Sequence, residues 1–350
     1  MNFKIFSRRG SAILLALGLA LAASAPVLAA DASGPYKLEQ TWKIGGDGSW
    51  DYLAVDPATH LLYVTRGTRL LVIDTSTGKL LTEIPGFKGL HGVAFDTEGK
   101  YGYISDGGGN TVHVLDRSTR KLVASVPAGT NPDGILFEPV TKTVWAFNGR
   151  SKNVTVIDSK DNTVAATIAL PGKPEFPQAD GTGTVFVNIE DTNQMVRLDA
   201  KSLTATATWS LAPCDSPSGQ AIDIKHRRLF SVCDGKHMVV VDADSGKVIA
   251  SPAIGDGPDA AGFDARHQVA FSSNGDGTLT VVHEDAPDKF TVIQNLPTQR
   301  GARTMAIDPS TGKVYLVAAQ FGPRPEPTAQ NPRPRPPILP DSFVVLVVGR

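Results

Sequence analysis

Leu61–Ile84 reads LLYVTRGTRLLVIDTSTGKLLTEI. Three short apolar runs, LLYVT, RLLVID and KLLTEI, are separated by polar breaks containing Gly, Ser and Thr. Runs of this length with such boundaries are strand signals, so the stretch predicts three antiparallel strands joined by tight turns. YLAVD, Tyr52–Asp56, supplies a fourth strand just upstream. A four-stranded sheet this small cannot bury both of its faces alone. It must stack on neighbours, and the rest of the chain provides them.

A strand ending in Asp recurs as LLVID to Asp74, VHVLD to Asp116, VTVID to Asp158, MVRLD to Asp199 and MVVVD to Asp242. LTVVHE around His283 is a sixth copy without the Asp, and SFVVLVV, ending near Val348, is a seventh. The period of about 42 residues is that of four-stranded propeller blades. A second strand precedes each copy (LLYVT, YGYIS, TVWAFN, TVFVN, LFSVC, VAFSS, VYLVA). An innermost strand comes before that (YLAVD, GVAFD, GILFE, Gln178–Asp180, AIDI, AGFD, MAID). The expected fold is all-β, a seven-bladed β-propeller of four-stranded antiparallel blades. KLEQTWKI, Lys37–Ile44, matches the outer strands but precedes the first inner strand, whereas the last blade ends after its third strand. The N-terminal strand is therefore expected to complete the last blade and remove the open edge of the ring.

The repeat resembles that of the YVTN-type β-propeller family, whose name motif stands here as Tyr63-Val64-Thr65-Arg66, with Arg in place of Asn. Similarity to the YncE-like periplasmic members spans residues 36–350. The resemblance implies a propeller fold and an exported protein, but no particular activity, because propellers host unrelated functions. Relatives also carry a suggestion of DNA binding.

Residues 1–29 have the pattern of a secretory signal peptide. Lys4, Arg8 and Arg9 precede the apolar run Ala12–Ala23 and a small-residue end at Val27-Leu28-Ala29. Residues 30–350 would form one propeller domain in the periplasm or outside the cell, with no membrane span after processing. The formal charge of the whole chain is −1, and removing the three basic residues of the leader leaves about −4. An acidic product argues against binding nucleic acid by phosphate neutralisation. Cys214 and Cys233, the only cysteines, fall at one end of the fifth blade, and an oxidising compartment predicts a disulfide between them. No C-x-x-C motif points to redox chemistry or haem attachment.

Aligning the inner strands places one polar residue per blade on the same rim: Asp51, His91, Asp133, Glu175, Ser218, Asp259 and Arg303. Together with Trp50 they are the candidate ligand-binding residues, and Trp50 and Phe176 could supply an apolar wall or plug a gap between blades. Arg303 lies between Asp259 and Asp51 around the circle, which favours a structural ion pair. Asp51, His91, Asp133 and Glu175 could hold a divalent cation or act as acid and base. Loops between second and third strands add Asp106, Glu190, Asp234 and the amides Asn148, Asn188 and Asn274 on the same face, most of them explained by turn chemistry. The Pro- and Arg-rich stretch 321–340, FGPRPEPTAQNPRPRPPILP, interrupts the last blade there. It reads as a surface insertion, or as an arm for an anionic ligand or partner. Arg66 reads as one of the freely variable breaks between strands.

These features predict a monomeric binding or scaffold module for a small molecule or a periplasmic protein. One alternative is a metal-dependent hydrolase of the lactonase or gluconolactonase type, whose ion would need acidic and amide ligands. A second is a redox propeller holding its cofactor non-covalently.

Overall fold

The computed structural model describes residue 1, residues 34–328, 331 and 332, and residues 334–350. Apart from its first residue, the expected leader lies outside the described residues. Seven four-stranded antiparallel sheets follow one another around a ring. Blade 1 is built from Leu53–Asp56, Leu61–Arg66, Arg69–Asp74 and Leu80–Pro85, in order from the axis outwards. The opening stretch thus forms the second, third and outer strands of one blade. The inner strands of blades 2 to 7 are Leu90–Phe95, Pro132–Glu138, Pro174–Ala179, Pro217–Asp223, Pro258–Asp264 and Met305–Ile307. In blade 7 the N-terminal strand Lys37–Lys43 pairs with the chain's last strand, Val344–Gly349, and closes the ring as the sequence led us to expect.

The burial pattern explains the apolar runs. Each blade is covered by a neighbour on both faces, so every residue of Leu61–Arg66, Thr143–Asn148 and Thr184–Ile189 is buried, rather than every second one. The outer strands lie at the perimeter and alternate or face solvent, as in Leu80–Pro85. The core is divided into seven apolar clusters, one in each seam between adjacent blades among the described residues. Stability is therefore distributed between nearest neighbours.

The recurring third-strand Asp has a local role. Asp74 accepts hydrogen bonds from the backbone N–H groups of Ser76 and Thr77, Asp116 from that of Thr119, and Asp199 from those of Lys201 and Ser202. Each carboxylate caps the turn that follows it, which explains the repeat without any function. Cys214 and Cys233 form a disulfide, with Cα atoms 5.4 Å apart, that joins the loop entering blade 5 to the end of that blade's second strand. Among the described residues, no helix is long and apolar enough to cross a membrane.

Candidate binding site at the mouth of the ring

The rim is built by a repeated backbone device. His91, Asp133, Glu175, Ser218 and Asp259 are each the second residue of an inner strand. In all five strands the pairing register shifts beside that residue, as between Leu90 and Val93 or between Pro132 and Ile135. A bulge leaves its residue outside the ladder and redirects the side chain, here to the mouth of the ring. Asp51 and Arg303 occupy the equivalent places two residues before the inner strands of blades 1 and 7.

Adjacent blades fix these positions through side-chain hydrogen bonds. Thr65 of blade 1 donates to the carbonyl of His91 (3.1 Å), Ser105 of blade 2 to that of Asp133 (2.6 Å), and Asn188 of blade 4 to that of Ser218 (3.0 Å). Ser273 of blade 6 does the same for the carbonyl of Arg303. The ring residues are thus tied to neighbouring second strands, which are the most deeply buried part of each blade.

Asp51, His91 and Asp133 form the tightest group. His91 Nδ1 lies 2.5 Å from Asp51 Oδ2 and 3.4 Å from Asp133 Oδ1. Burial works against the charged imidazole, but the hydrogen bond to Asp51 and the negative charges of Asp133, Asp51 and Glu175 raise its pKa to about 9. The other edge of the ring rests on Gly107, where an added Cβ would come within 2.6 Å of His91 Nε2. Any larger residue there would push the imidazole out of this position.

Lys173 and Glu190 complete a second group. Lys173 Nζ is 2.5 Å from Glu175 Oε1 and also bonds Glu190. Burial, followed by the charge of Asp133, pushes Glu175 up to about 8 against the pull of Lys173. Lys173 is held strongly charged, its two carboxylates overcoming the cost of burial. Burial likewise raises Asp133 to about 6 against the pull of His91, and raises Asp259 to about 7 although Arg303 Nε lies 3.2 Å from it.

These residues line a cavity of about 520 Å³, with Trp50, Tyr52, Glu190, Asp234 and Arg335 completing its wall. Phe176 is absent from that lining. Its ring meets Tyr52 edge to face at 5.0 Å, so it plugs the ring and does not face a ligand. Trp50 packs against Phe343 (centroids 5.3 Å apart) and Phe321 (6.1 Å), and it borders a neighbouring groove of about 1160 Å³. That groove runs beneath the insertion in blade 7 and is lined by Arg300, Arg324, Arg335 and Phe321. The insertion is zipped at its base, where Gly322 N donates to Pro337 O and Leu339 N donates to Gln320 O.

Sequence reasoning located the seven ring residues but missed Lys173 and Tyr52. Lys173 carried a usable signal, because residues two apart on an extended segment share a face with Glu175. The expected amide ligands do not line this cavity. Asn148 is buried and bonded to Asn153 and Thr155, Asn188 to Ser218, Gln220 and Ser231, and Asn274 to Thr278 and Thr280. Arg66 is also not a free break. It is fully buried with its guanidinium 3.9 Å from the centroid of the Phe343 ring, and it donates to the carbonyls of Gly48 (2.5 Å) and Asp47 (2.6 Å). It thereby holds the loop that presents Trp50 and Asp51.

The fold and this concave polar mouth define the chain as a seven-bladed β-propeller. Solved structures agree on the fold. The RRP9 WD40 repeats superpose with a TM-score of 0.73 at 10% identity, covering 93% of this chain and all (100%) of that one. U3-55K gives 0.72 at 10% identity, covering 91% and 99%. Hydrazine synthase from Kuenenia stuttgartiensis gives 0.66 at 14% identity, covering 77% and 92%. No protein-family model matches the chain, and no curated protein matches its sequence.

Proposed function

We propose that this chain is an exported binding module that takes a small ligand carrying a cationic group into the mouth of the ring. One observation carries the reading. Six carboxylates, those of Asp51, Asp133, Glu175, Glu190, Asp234 and Asp259, line one open cavity. These acids outnumber the cationic side chains of His91, Lys173, Arg303 and Arg335 in the same lining, so an ammonium or similar cation entering among them offsets the excess negative charge. A cavity of about 520 Å³ falls within the range of about 300–1,000 Å³ usual for small-molecule sites. Trp50 and the arginine-lined groove beside it offer a surface for an apolar or anionic remainder of the same ligand. The disulfide, the leader-like residues 1–29 and the YVTN-type repeat support an exported member of that propeller family. The acidity of the chain weighs against nucleic acid as the partner.

A hydrolase reading has one observation in its favour: ligand atoms of Asp51, His91 and Asp133 lie within 4.8 Å of one another. Asn148, Asn188 and Asn274 are buried outside the cavity lining, and the amide oxygens of Asn188 and Asn274 are taken by scaffold donors, which weighs against a lactonase-type ligand set. Binding without turnover is the stronger reading.

The test is a thermal-shift titration of the full chain with small amines and quaternary ammonium compounds, and with carboxylates and phosphates as controls. Cationic compounds should raise the midpoint, and the rise should vanish in an Asp133→Asn, Glu175→Gln double variant. A response to the anions alone, or to none of the compounds, overturns the proposal.

A further inference from the structure

Each of the seven inner strands ends in, or is directly followed by, a buried acid on the face opposite the ring, and in two seams a guanidinium of the next blade meets that acid. Asp56 of blade 1 meets Arg117 of blade 2, with Nη2 2.5 Å from Oδ2, and Arg117 Nη1 also lies 3.5 Å from Asp96 Oδ1. Asp180 of blade 4 meets Arg227 of blade 5 at 2.8 Å. The seam between blades 5 and 6 departs from this arrangement. Arg117 directly follows the repeated third-strand Asp, and the equivalent position in blade 6 is Glu284, after His283. A carboxylate therefore faces Asp223 where the other seam places a guanidinium.

Three groups converge at this point. His226 Nδ1 lies 2.7 Å from Asp223 Oδ2 and 3.1 Å from Glu284 Oε1. The side chain of Glu284 is 1% exposed, and both of its oxygens are buried without a hydrogen-bond partner. His226 Nδ1 also lacks a hydrogen bond despite these short separations, so neither carboxylate lies along its N–H direction. Asp223 uses Oδ1 to cap the turn at Lys225 N, which leaves Oδ2 facing His226. Arg228, the nearby guanidinium, is engaged by Asp242 and by the carbonyl of Pro287. Two buried carboxylates thus converge on one imidazole, and no hydrogen-bond donor among the described residues reaches either oxygen of Glu284.

We propose that Asp223, His226 and Glu284 bind a divalent transition ion of the Zn²⁺ class that staples blades 5 and 6. One imidazole nitrogen and two carboxylate oxygens suit such an ion, with water as the fourth ligand. Metal–ligand bonds of about 2.0–2.1 Å place tetrahedral ligand atoms about 3.3 Å apart; His226 Nδ1 lies 3.1 Å from Glu284 Oε1 and 2.7 Å from Asp223 Oδ2, and all three ligand atoms lie within 4.8 Å of one another. The three residues come from the first turn of blade 5 and the third strand of blade 6. Binding therefore crosslinks two blades that otherwise meet through apolar packing and hydrogen bonds such as that from Arg228 to the carbonyl of Pro287.

The test uses the full chain, stripped with a chelator and titrated calorimetrically with Zn²⁺, beside Glu284→Gln, His226→Gln and His91→Gln. The last removes the imidazole of the ring, so the two sites report separately. The wild type and His91→Gln should each take up one equivalent with a rise in thermal midpoint. Glu284→Gln and His226→Gln should bind at least tenfold more weakly and show no such rise. His226 lies on a partly exposed turn, so its variant keeps the test open if Glu284→Gln fails to fold. Absence of uptake by the wild type, uptake unchanged in folded Glu284 or His226 variants, or a single equivalent lost only with His91→Gln overturns the proposal.

Discussion

Tyr52 of blade 1 and Phe176 of blade 4 meet edge to face across the axis of the ring, with centroids 5.0 Å apart. Tyr52 also lines the cavity at the mouth, where it forms an aromatic floor. Tyr52 is 5% exposed, and burial, together with the charges of Asp259, Glu175, Asp133 and Asp51, holds its hydroxyl firmly protonated. The floor therefore adds no charge to an already acidic mouth. Truncation by Tyr52→Ala removes a buried aromatic and should cost about 3 kcal/mol, measured by urea unfolding. Tyr52→Phe keeps the ring contact and should cost far less. Equal losses for the two variants would show that the hydroxyl, and not the ring contact, matters.

Stability should fall as pH rises from about 5 to about 9. His91 is raised in the folded state to about 9, so its contribution is full below its unfolded value near 6.5 and is lost as pH rises through 9. Asp133, Glu175 and Asp259 are also raised, to about 6, 8 and 7, and each likewise favours the folded state most when protonated. All four groups therefore act in the same direction. Thermal midpoints across this range check the slope, and Glu175→Gln with Asp259→Asn should flatten it.

Arg66 joins two parts of the chain that meet only in the closed ring. It binds the carbonyls of Gly48 and Asp47 while lying over Phe343, which precedes the last strand. Replacement by Met keeps much of the packing but leaves both carbonyls without this donor. The expected cost is about 3 kcal/mol, since hydrogen bonds to charged groups contribute about 1.5–3 kcal/mol each. Denaturant midpoints measure the loss, and any ligand that uses Trp50 and Asp51 should bind more weakly.

The disulfide between Cys214 and Cys233 closes a loop with a sequence separation of 19. Its removal by Cys214→Ser with Cys233→Ser should lower stability by about 3 kcal/mol on the chain-entropy account. Chemical denaturation of the variant, with the reduced wild type alongside, provides the measurement. A loss below about 0.5 kcal/mol would mean that loop closure contributes little here.

The sequence by itself determined the blade count, the closure by Lys37–Lys43, the pairing of the cysteines and the circle of seven rim residues. These were legible because a repeat prints the same local chemistry at a constant spacing, and strand pattern depends on near neighbours along the chain. The tertiary structure alone decided what each rim residue meets. Asp51 and His91 are 40 residues apart, Tyr52 and Phe176 come from blades across the ring, and Arg66 finds Phe343 only when the last blade packs on the first. The same holds for Glu284 facing Asp223, where an acid directly after the repeated third-strand position gains meaning only from the adjoining blade. Periodicity specifies the scaffold because all seven copies obey it. The chemistry lies where copies differ, and a difference has no partner until the ring closes.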